Sequence, residues 1–188
     1  TGKPKGVLVT KKNIAVAINW RSNEYKLDSS DAVLQLFSYA FDGFMTSFFT
    51  PIVSGSKVVF VEDVLDIKRI GELIESENIT HFISVPMLCQ SIFENLNEEQ
   101  LKSLRIITTA GDRLGEQTYQ IVKEKNPNVE VVNEYGPTEC TVVSTIKRNV
   151  TLNDIAENSI GKIIDIGYVY IVDKYMHIKL QRFIKEIK

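Results

Sequence analysis

Lys57-Val58-Val59-Phe60-Val61, Asp66-Ile67-Lys68-Arg69-Ile70-Gly71-Glu72-Leu73-Ile74-Glu75-Ser76-Glu77 and His81-Phe82-Ile83-Ser84-Val85 follow one another within thirty residues or so, and their reading decides the fold. The first run is rich in β-branched residues and reads as a strand. The second places Ile67, Ile70, Leu73 and Ile74 on one stripe, with Asp66 available as its cap, and reads as an amphipathic helix. The third is strand-like again and stops at Pro86. Two strands joined by a helix form a βαβ unit, which implies parallel pairing.

The same alternation extends both ways. Downstream, residues 87–96 and 115–125 read as helices, and 104–109 and 129–133 as strands. Upstream, 7–9 reads as a short strand, 11–25 as a helix, 32–37 as a strand and 41–53 as a helix ended by Ser54-Gly55. Beyond Gly136 the helices fade, and 141–146 and 168–172 read as further strands. The expectation is an α/β fold: a mainly parallel β-sheet flanked by helices in repeated βαβ units. Ligands in such folds bind outside the carboxyl ends of the strands.

The chain has 188 residues, 44% hydrophobic and 24% charged, with a net charge of −2. This length can bury a core without metal or disulfide staples. Charges of both signs alternate and no basic stripe stands out, which argues against nucleic acid as a partner. No apolar run approaches the length of a membrane span. Cys89 and Cys140 form no C-x-x-C pair, so a reducing cytoplasm is expected. His81 and His177 are isolated in sequence from acidic or metal-binding partners and are read as structural. Trp20 and the Phe48-Phe49 pair are read as core. The chain opens on Thr1 inside a Gly/Lys/Pro-rich loop, so an upstream segment is expected.

Two loops carry chemistry. Thr1-Gly2-Lys3-Pro4-Lys5-Gly6 combines two glycines, which let backbone N–H groups approach an anion, with two lysines. It lacks Walker A spacing. Asn133-Glu134-Tyr135-Gly136-Pro137-Thr138-Glu139 follows a strand directly. Gly-Pro forces a turn. Tyr135 offers a flat face to a nucleobase. Thr138 offers a hydroxyl to a phosphate, and Glu139 a hard oxygen to Mg²⁺.

Together these segments resemble the adenylate-forming superfamily, whose phosphate loop ends in T-G-x-P-K-G and whose second signature is Y-G-x-T-E. Residues 133–139 match the peptide-synthetase form N-x-Y-G-P-T-E. Phe41-Asp42-Gly43, Ile160-Gly161-Lys162 and Val169-Tyr170-Ile171-Val172-Asp173 resemble further stretches of that subfamily, in the expected order. The resemblance implies that residues 1–188 are one fragment of an adenylation domain, a subdomain of the large N-terminal domain of adenylate-forming enzymes. It implies a carboxylate attacking the α-phosphorus of ATP to give an acyl-adenylate and pyrophosphate. Thr1, Gly2, Lys3, Lys5 and Gly6 would face the β- and γ-phosphates. Tyr135 would stack on adenine with Ala110-Gly111 on its other side, in a nucleotide site that also takes in Asn133, Glu134 and Gly136. Thr138 would contact the α-phosphate and Glu139 would hold Mg²⁺; Thr138, Glu139 and Lys5 form the catalytic set. The implied partners are an amino acid, a carrier domain bearing phosphopantetheine, and condensation domains.

In amino-acid-activating members the aspartate of F-D-x binds the substrate α-ammonium. That role falls on Asp42, for which a helix N-cap is the structural alternative. The aligned side-chain pocket is Asp42, Gly43, Thr46, Ser84, Thr108, Ala110, Glu134, Val142 and Val143, with the position of Ser84 open by one residue. The set is similar to pockets assigned to tyrosine, with Ser84, Thr108 and Glu134 as polar partners for a phenolic hydroxyl. The family's T-G-D aspartate and C-terminal subdomain, with its catalytic lysine, are absent from the sequence. The isolated chain is therefore expected to adenylate poorly and to self-associate through uncovered apolar surface. An acyl- or aryl-CoA synthetase fragment and a noncatalytic assembly module are the alternatives. A dinucleotide oxidoreductase is disfavoured because no G-x-G-x-x-G follows a strand.

Overall fold

A computed structural model describes residues 6–178. Its elements run α1 (Lys11–Tyr25), β1 (Ala32–Gln35), α2 (Gly43–Ser54), β2 (Lys57–Phe60), α3 (Ile67–Ser76), β3 (His81–Ser84), α4 (Pro86–Asn95), α5 (Glu98–Leu101), β4 (Ile106–Ala110), α6 (Glu116–Lys125), β5 (Glu130–Tyr135), β6 (Thr145–Lys147), α7 (Leu152–Ala156) and β7 (Lys162–Ile163). They build one sheet in the order β2-β1-β3-β4-β5-β6-β7. The pairs from β2 to β5 are parallel, and β6 and β7 add antiparallel. The strand order reverses between β1 and β3, which is where open α/β sheets leave a ligand crevice.

The helix ends follow from local chemistry. Thr10 caps α1 through a reciprocal box with Asn13. Asp66 caps α3 by accepting from the Arg69 N–H at 2.9 Å. Pro86 does more than stop β3, because it occupies the first turn of α4, where a missing N–H costs nothing.

Alternation along each strand sends its side chains to two separate cores. Leu34, Phe82, Ile107 and Val131 pack with Ile70 and Ile74 of α3, Ile92 and Phe93 of α4 and Val122 of α6. Val33, Ile106, Val132 and Ile146 pack with Ala17, Trp20 and Tyr25 of α1. The α3–α6 side is the outer face of the sheet, and the α1–α2 side the inner face.

Three strand expectations change. Residues 7–9 are irregular: Leu8 is 96% exposed and no strand lies alongside. Residues 168–172 form no strand beyond a single bridge from Val172 to Ile178. β-branched and aromatic content raised both readings, but a strand needs a pairing partner as well as propensity. Of residues 141–146, only the last two are strand; the first four belong to a tight loop. The short α5, α7 and β7 carry too few residues for a periodic signal.

Candidate functional site

The loop that leaves β5 is tightly constrained. A Cβ at Gly136 would stand 2.3 Å from the Val142 carbonyl oxygen, so only glycine lets the loop fold back this closely. Thr138–Cys140 form a 3₁₀ turn. The Cys140 N–H donates to the Pro137 carbonyl at 2.9 Å, and the Ser144 N–H donates to the Tyr135 carbonyl at 2.8 Å, closing the loop. Thr141 and Val142 take left-handed backbone, with φ of 64° and 73°. Such conformations cost about 1–3 kcal/mol each in β-branched residues, and they gather at ligand-handling segments.

Two hollows flank this loop. The first, of about 530 Å³, is lined by Asn133, Tyr135, Gly136, Gly111, Arg113 and Ile160, among others. Tyr135 is 49% exposed, so its ring is available there. Gly111, directly after β4, has φ +84°, which lets the chain turn away at the rim. The second, of about 410 Å³, lies between Ile14 and Ile18 of α1, Asp42 at the start of α2, Met45 of α2, and Thr138 and Val142 of the loop. Both volumes suit small-molecule sites. Asp42 and Thr138, distant in sequence, thus share one hollow. Asp42 sits at the N-cap position of α2 but caps nothing with its side chain.

Between α1 and the sheet, with Glu134 on the wall of the first hollow, lies a buried polar network. Arg21 Nε donates to Glu134 Oε1 at 2.9 Å, and the Tyr25 hydroxyl donates to the same oxygen at 2.6 Å. The Thr108 hydroxyl donates to the Tyr25 oxygen at 3.0 Å and lies 3.1 Å from His81 Nε2. Because an ionised carboxylate only accepts, these directions make His81 Nε2 the donor and leave Nδ1 bare. His81 also stacks on Tyr25 at 5.0 Å. Burial, seconded by the Arg21 charge, holds the His81 pKa well below its ordinary value, so the ring is neutral. Burial, with Glu134 adjacent, raises the Tyr25 pKa and keeps its proton in place. Burial works against the Arg21 charge, but Glu134 and Tyr25 outweigh it and its pKa rises.

The structure distributes the expected residues as follows. Thr1, Gly2, Lys3 and Lys5 lie outside the described residues, as does the basic stretch from 179 onward. Gly6 is exposed, with nothing within 4 Å of where a Cβ would stand. Ala110, Gly111, Asn133, Tyr135 and Gly136 converge near the first hollow; Asp42, Thr138 and Val142 line the second. Glu139 is exposed on the turn. Gly43 packs against the Phe37 ring, and Thr46 is fully buried on α2 with its hydroxyl on the Gly43 carbonyl at 3.3 Å. Val143 belongs to the inner core.

Three expectations are corrected. Ser84 pairs laterally with Thr109, and Thr109 with Asn133, on the outer face. Ile83, which pairs with Thr108, is the residue on the inner face. Thr108 has already committed its hydroxyl to Tyr25. His177 is not isolated, since its Nδ1 stands 3.4 Å from an Asp173 carboxylate oxygen. Trp20 is buried in the inner core. Phe48 and Phe49 are only half buried, stacking in an aromatic group with Phe44 and Phe60. Cys89 is buried, its thiol pushed up to about 12 by burial, and Cys140 is exposed; both are free.

Sequence reasoning missed Arg21 and Tyr25. Their signal was present: Ile14, Ile18, Arg21 and Tyr25 follow helical spacing along one face, and a charged residue interrupts an apolar stripe. Among the described residues no group of three or more His, Cys, Asp or Glu side chains gathers to hold a metal. No helix there is long and apolar enough to cross a membrane.

An open sheet, a crevice at its carboxyl edge and a glycine-dependent loop between two hollows define an α/β protein with the layout of a small-molecule site. The chain belongs to the AMP-binding enzyme family, which it matches over residues 1–179. It is 42% identical over 175 residues to gramicidin S synthase 2 of Aneurinibacillus migulanus, covering 92% of this chain and 4% of that protein. It is 38% identical over 181 residues to tyrocidine synthase 3 of Brevibacillus parabrevis, covering 95% of this chain and 3% of that one. The chain therefore spans only a small part of these relatives. Its fold superposes with a TM-score of 0.83 on the nonribosomal peptide synthetase FmoA3 in its AMPPNP-bound form, at 25% identity over 93% of this chain and 19% of that chain. It superposes at 0.79 on the N-terminal subdomain of Klebsiella oxytoca NpsA, at 17% identity over 95% of this chain and 44% of that one.

Proposed function

We propose that the chain is the nucleotide- and amino-acid-binding part of an adenylation domain in a nonribosomal peptide synthetase. There it joins an amino acid to ATP as an aminoacyl-adenylate, releasing pyrophosphate. The observation that carries this reading is the pair of hollows meeting at one strained loop, with an aromatic ring and an amide on one side and an uncapped carboxylate on the other. Tyr135 takes the adenine face, with Ala110-Gly111 opposite and Asn133 beside it. Thr138 meets the α-phosphate between the hollows. Glu139 supplies one oxygen to Mg²⁺, an ion that commonly combines one or two protein carboxylates with substrate phosphates and water. Thr1, Lys3 and Lys5 neutralise the outer phosphates. Asp42 receives the α-ammonium, so that the amino-acid carboxylate is directed at the α-phosphorus. Catalysis of this kind is mainly positioning and charge neutralisation.

The preferred substrate is tyrosine-like. The partners are the phosphopantetheine-bearing carrier and the condensation domains of a cytoplasmic assembly line, and the relatives are synthases named for gramicidin S and tyrocidine. A CoA synthetase of the same family is disfavoured by Asp42, which neither caps its helix nor forms an ion pair among the described residues.

The test is calorimetric titration of the chain with AMPPNP and Mg²⁺. Binding is expected, and Tyr135→Ala is expected to weaken it roughly ten- to a hundredfold, the usual worth of stacking a base on an aromatic ring. Absent binding, or binding indifferent to Tyr135, overturns the nucleotide assignment.

A further inference from the structure

The outer face of the sheet changes character toward its carboxyl edge. One lateral row across β3, β4 and β5 is Phe82, Ile107 and Val131, all buried in the apolar core. The next row on the same face is Ser84, Thr109 and Asn133. Burial alone would have continued with valine or isoleucine. The row is polar instead, and it ends at Asn133, which lines the first hollow with Tyr135. Asn133 and Tyr135 are two residues apart on β5, so their side chains leave the same face of the strand. One occupant of the hollow can therefore meet both the ring and the amide.

Thr109 is fully buried. Its hydroxyl lies 3.3 Å from the Val132 carbonyl oxygen and 3.4 Å from Asn133 Oδ1. Both contacts are long for O–H···O, as for one proton shared between two acceptors. Ser84 Oγ, on the neighbouring strand, has no hydrogen-bond partner, so it does not draw the Thr109 hydroxyl toward β3. The Thr109 proton is thus directed at β5. An amide oxygen has two lone pairs, and Thr109 engages one. The other lone pair stays open, and Asn133 Nδ2 makes no hydrogen bond among the described residues. An acceptor beside a donor matches the N6/N7 edge of adenine, where the amino group donates and N7 accepts. Guanine presents two acceptors on that edge, O6 and N7. To meet O6, the amide would have to turn over and give up its bond from Thr109.

We infer that Thr109 is a positioning residue for base selection: by donating to Asn133 Oδ1, it fixes the sense of the side-chain amide, which then reads the N6/N7 edge of a purine whose face rests on Tyr135. The ligand class is an adenine nucleotide, selected against its guanine counterpart. The inference rests on the nucleotide reading given above. Thr109 acts through Asn133 and touches no ligand itself, so its hydroxyl rather than its shape carries the effect. Valine has the same shape without the hydroxyl, and serine keeps the hydroxyl without the methyl group.

The experiment is calorimetric titration of the chain with AMPPNP and, separately, with GMPPNP, each with Mg²⁺. The unaltered chain is expected to bind AMPPNP about 10- to 100-fold more tightly, the usual worth of a two-bond amide contact to one base. Thr109→Val is expected to lower that ratio roughly fivefold, as befits the loss of one neutral hydrogen bond. Thr109→Ser is expected to keep the ratio of the unaltered chain. A purely structural role for Thr109 would weaken both nucleotides together and leave the ratio intact. Should Thr109→Val fail to fold, Thr109→Ala, which removes the hydroxyl without adding bulk, carries the test. Equal binding of the two nucleotides by the unaltered chain, or an unchanged ratio in the variant lacking the hydroxyl, overturns the inference and leaves the nucleotide site standing. Binding of neither nucleotide by the unaltered chain overturns the nucleotide reading itself.

Discussion

The two faces of the central sheet bury their side chains by different means. On the outer face, Leu34, Phe82, Ile107 and Val131 meet α3, α4 and α6 in a continuous apolar core, and none is more than 1% exposed. On the inner face a smaller apolar cluster shares its space with Arg21, Gln35, His81, Thr108 and Glu134, each 4% exposed or less. The outer face is held mainly by apolar burial, at about 25 cal/mol per Å² of apolar surface. The inner face carries an ion pair whose desolvation consumes much of what the attraction returns. A fold that needed only stability would repeat the outer solution. The inner face therefore buries polar groups at a cost in stability that the outer face avoids.

Glu134 is where this contrast meets its severest test. Glu134→Ala leaves Arg21 charged and unpaired in the interior and is expected to cost ~3–5 kcal/mol in denaturant unfolding. If Arg21→Met combined with Glu134→Leu then recovers the unaltered stability, the polar pair is not there for the fold. An unaffected midpoint in Glu134→Ala would mean that the two faces do not differ as described. On the outer face, Ile107→Ala is expected to cost ~2–5 kcal/mol by cavity formation in the same unfolding measurement. The smallest effect concerns pH. Folded His81 stays neutral, whereas the unfolded imidazole protonates near its ordinary 6.5. The unfolded chain thus binds more protons below that pH, and stability falls as pH drops from about 6.5, by up to ~1.4 kcal/mol per pH unit. His81→Gln should flatten that slope in unfolding curves taken between about pH 6.5 and 5.

The parallel sheet was legible because its strands are apolar runs and its helices carry stripes; the β2–α3–β3 unit alone implies it. The unpaired runs at 7–9 and 168–172 misled, since propensity is local and pairing is not. The loop at 133–139 was legible from residue types in order. The buried polar network was not: Arg21 and Glu134 are 113 positions apart and meet only once α1 lies across β5. The slip between Ser84 and Ile83 has the same origin. One residue of register moves a strand side chain to the opposite face, and register belongs to the sheet rather than to the strand.

Gly136 has a counterpart in Gly6, Gly55 and Gly115, where a methyl group would meet nothing within 4 Å. Those three could drift to alanine over evolutionary time, subject at Gly55 to its positive φ of 73°. At Gly136 even one added carbon collides with main chain that cannot step aside. A saturation library across the turn should thus return glycine alone at this codon, making the residue without a side chain the least replaceable letter in the signature.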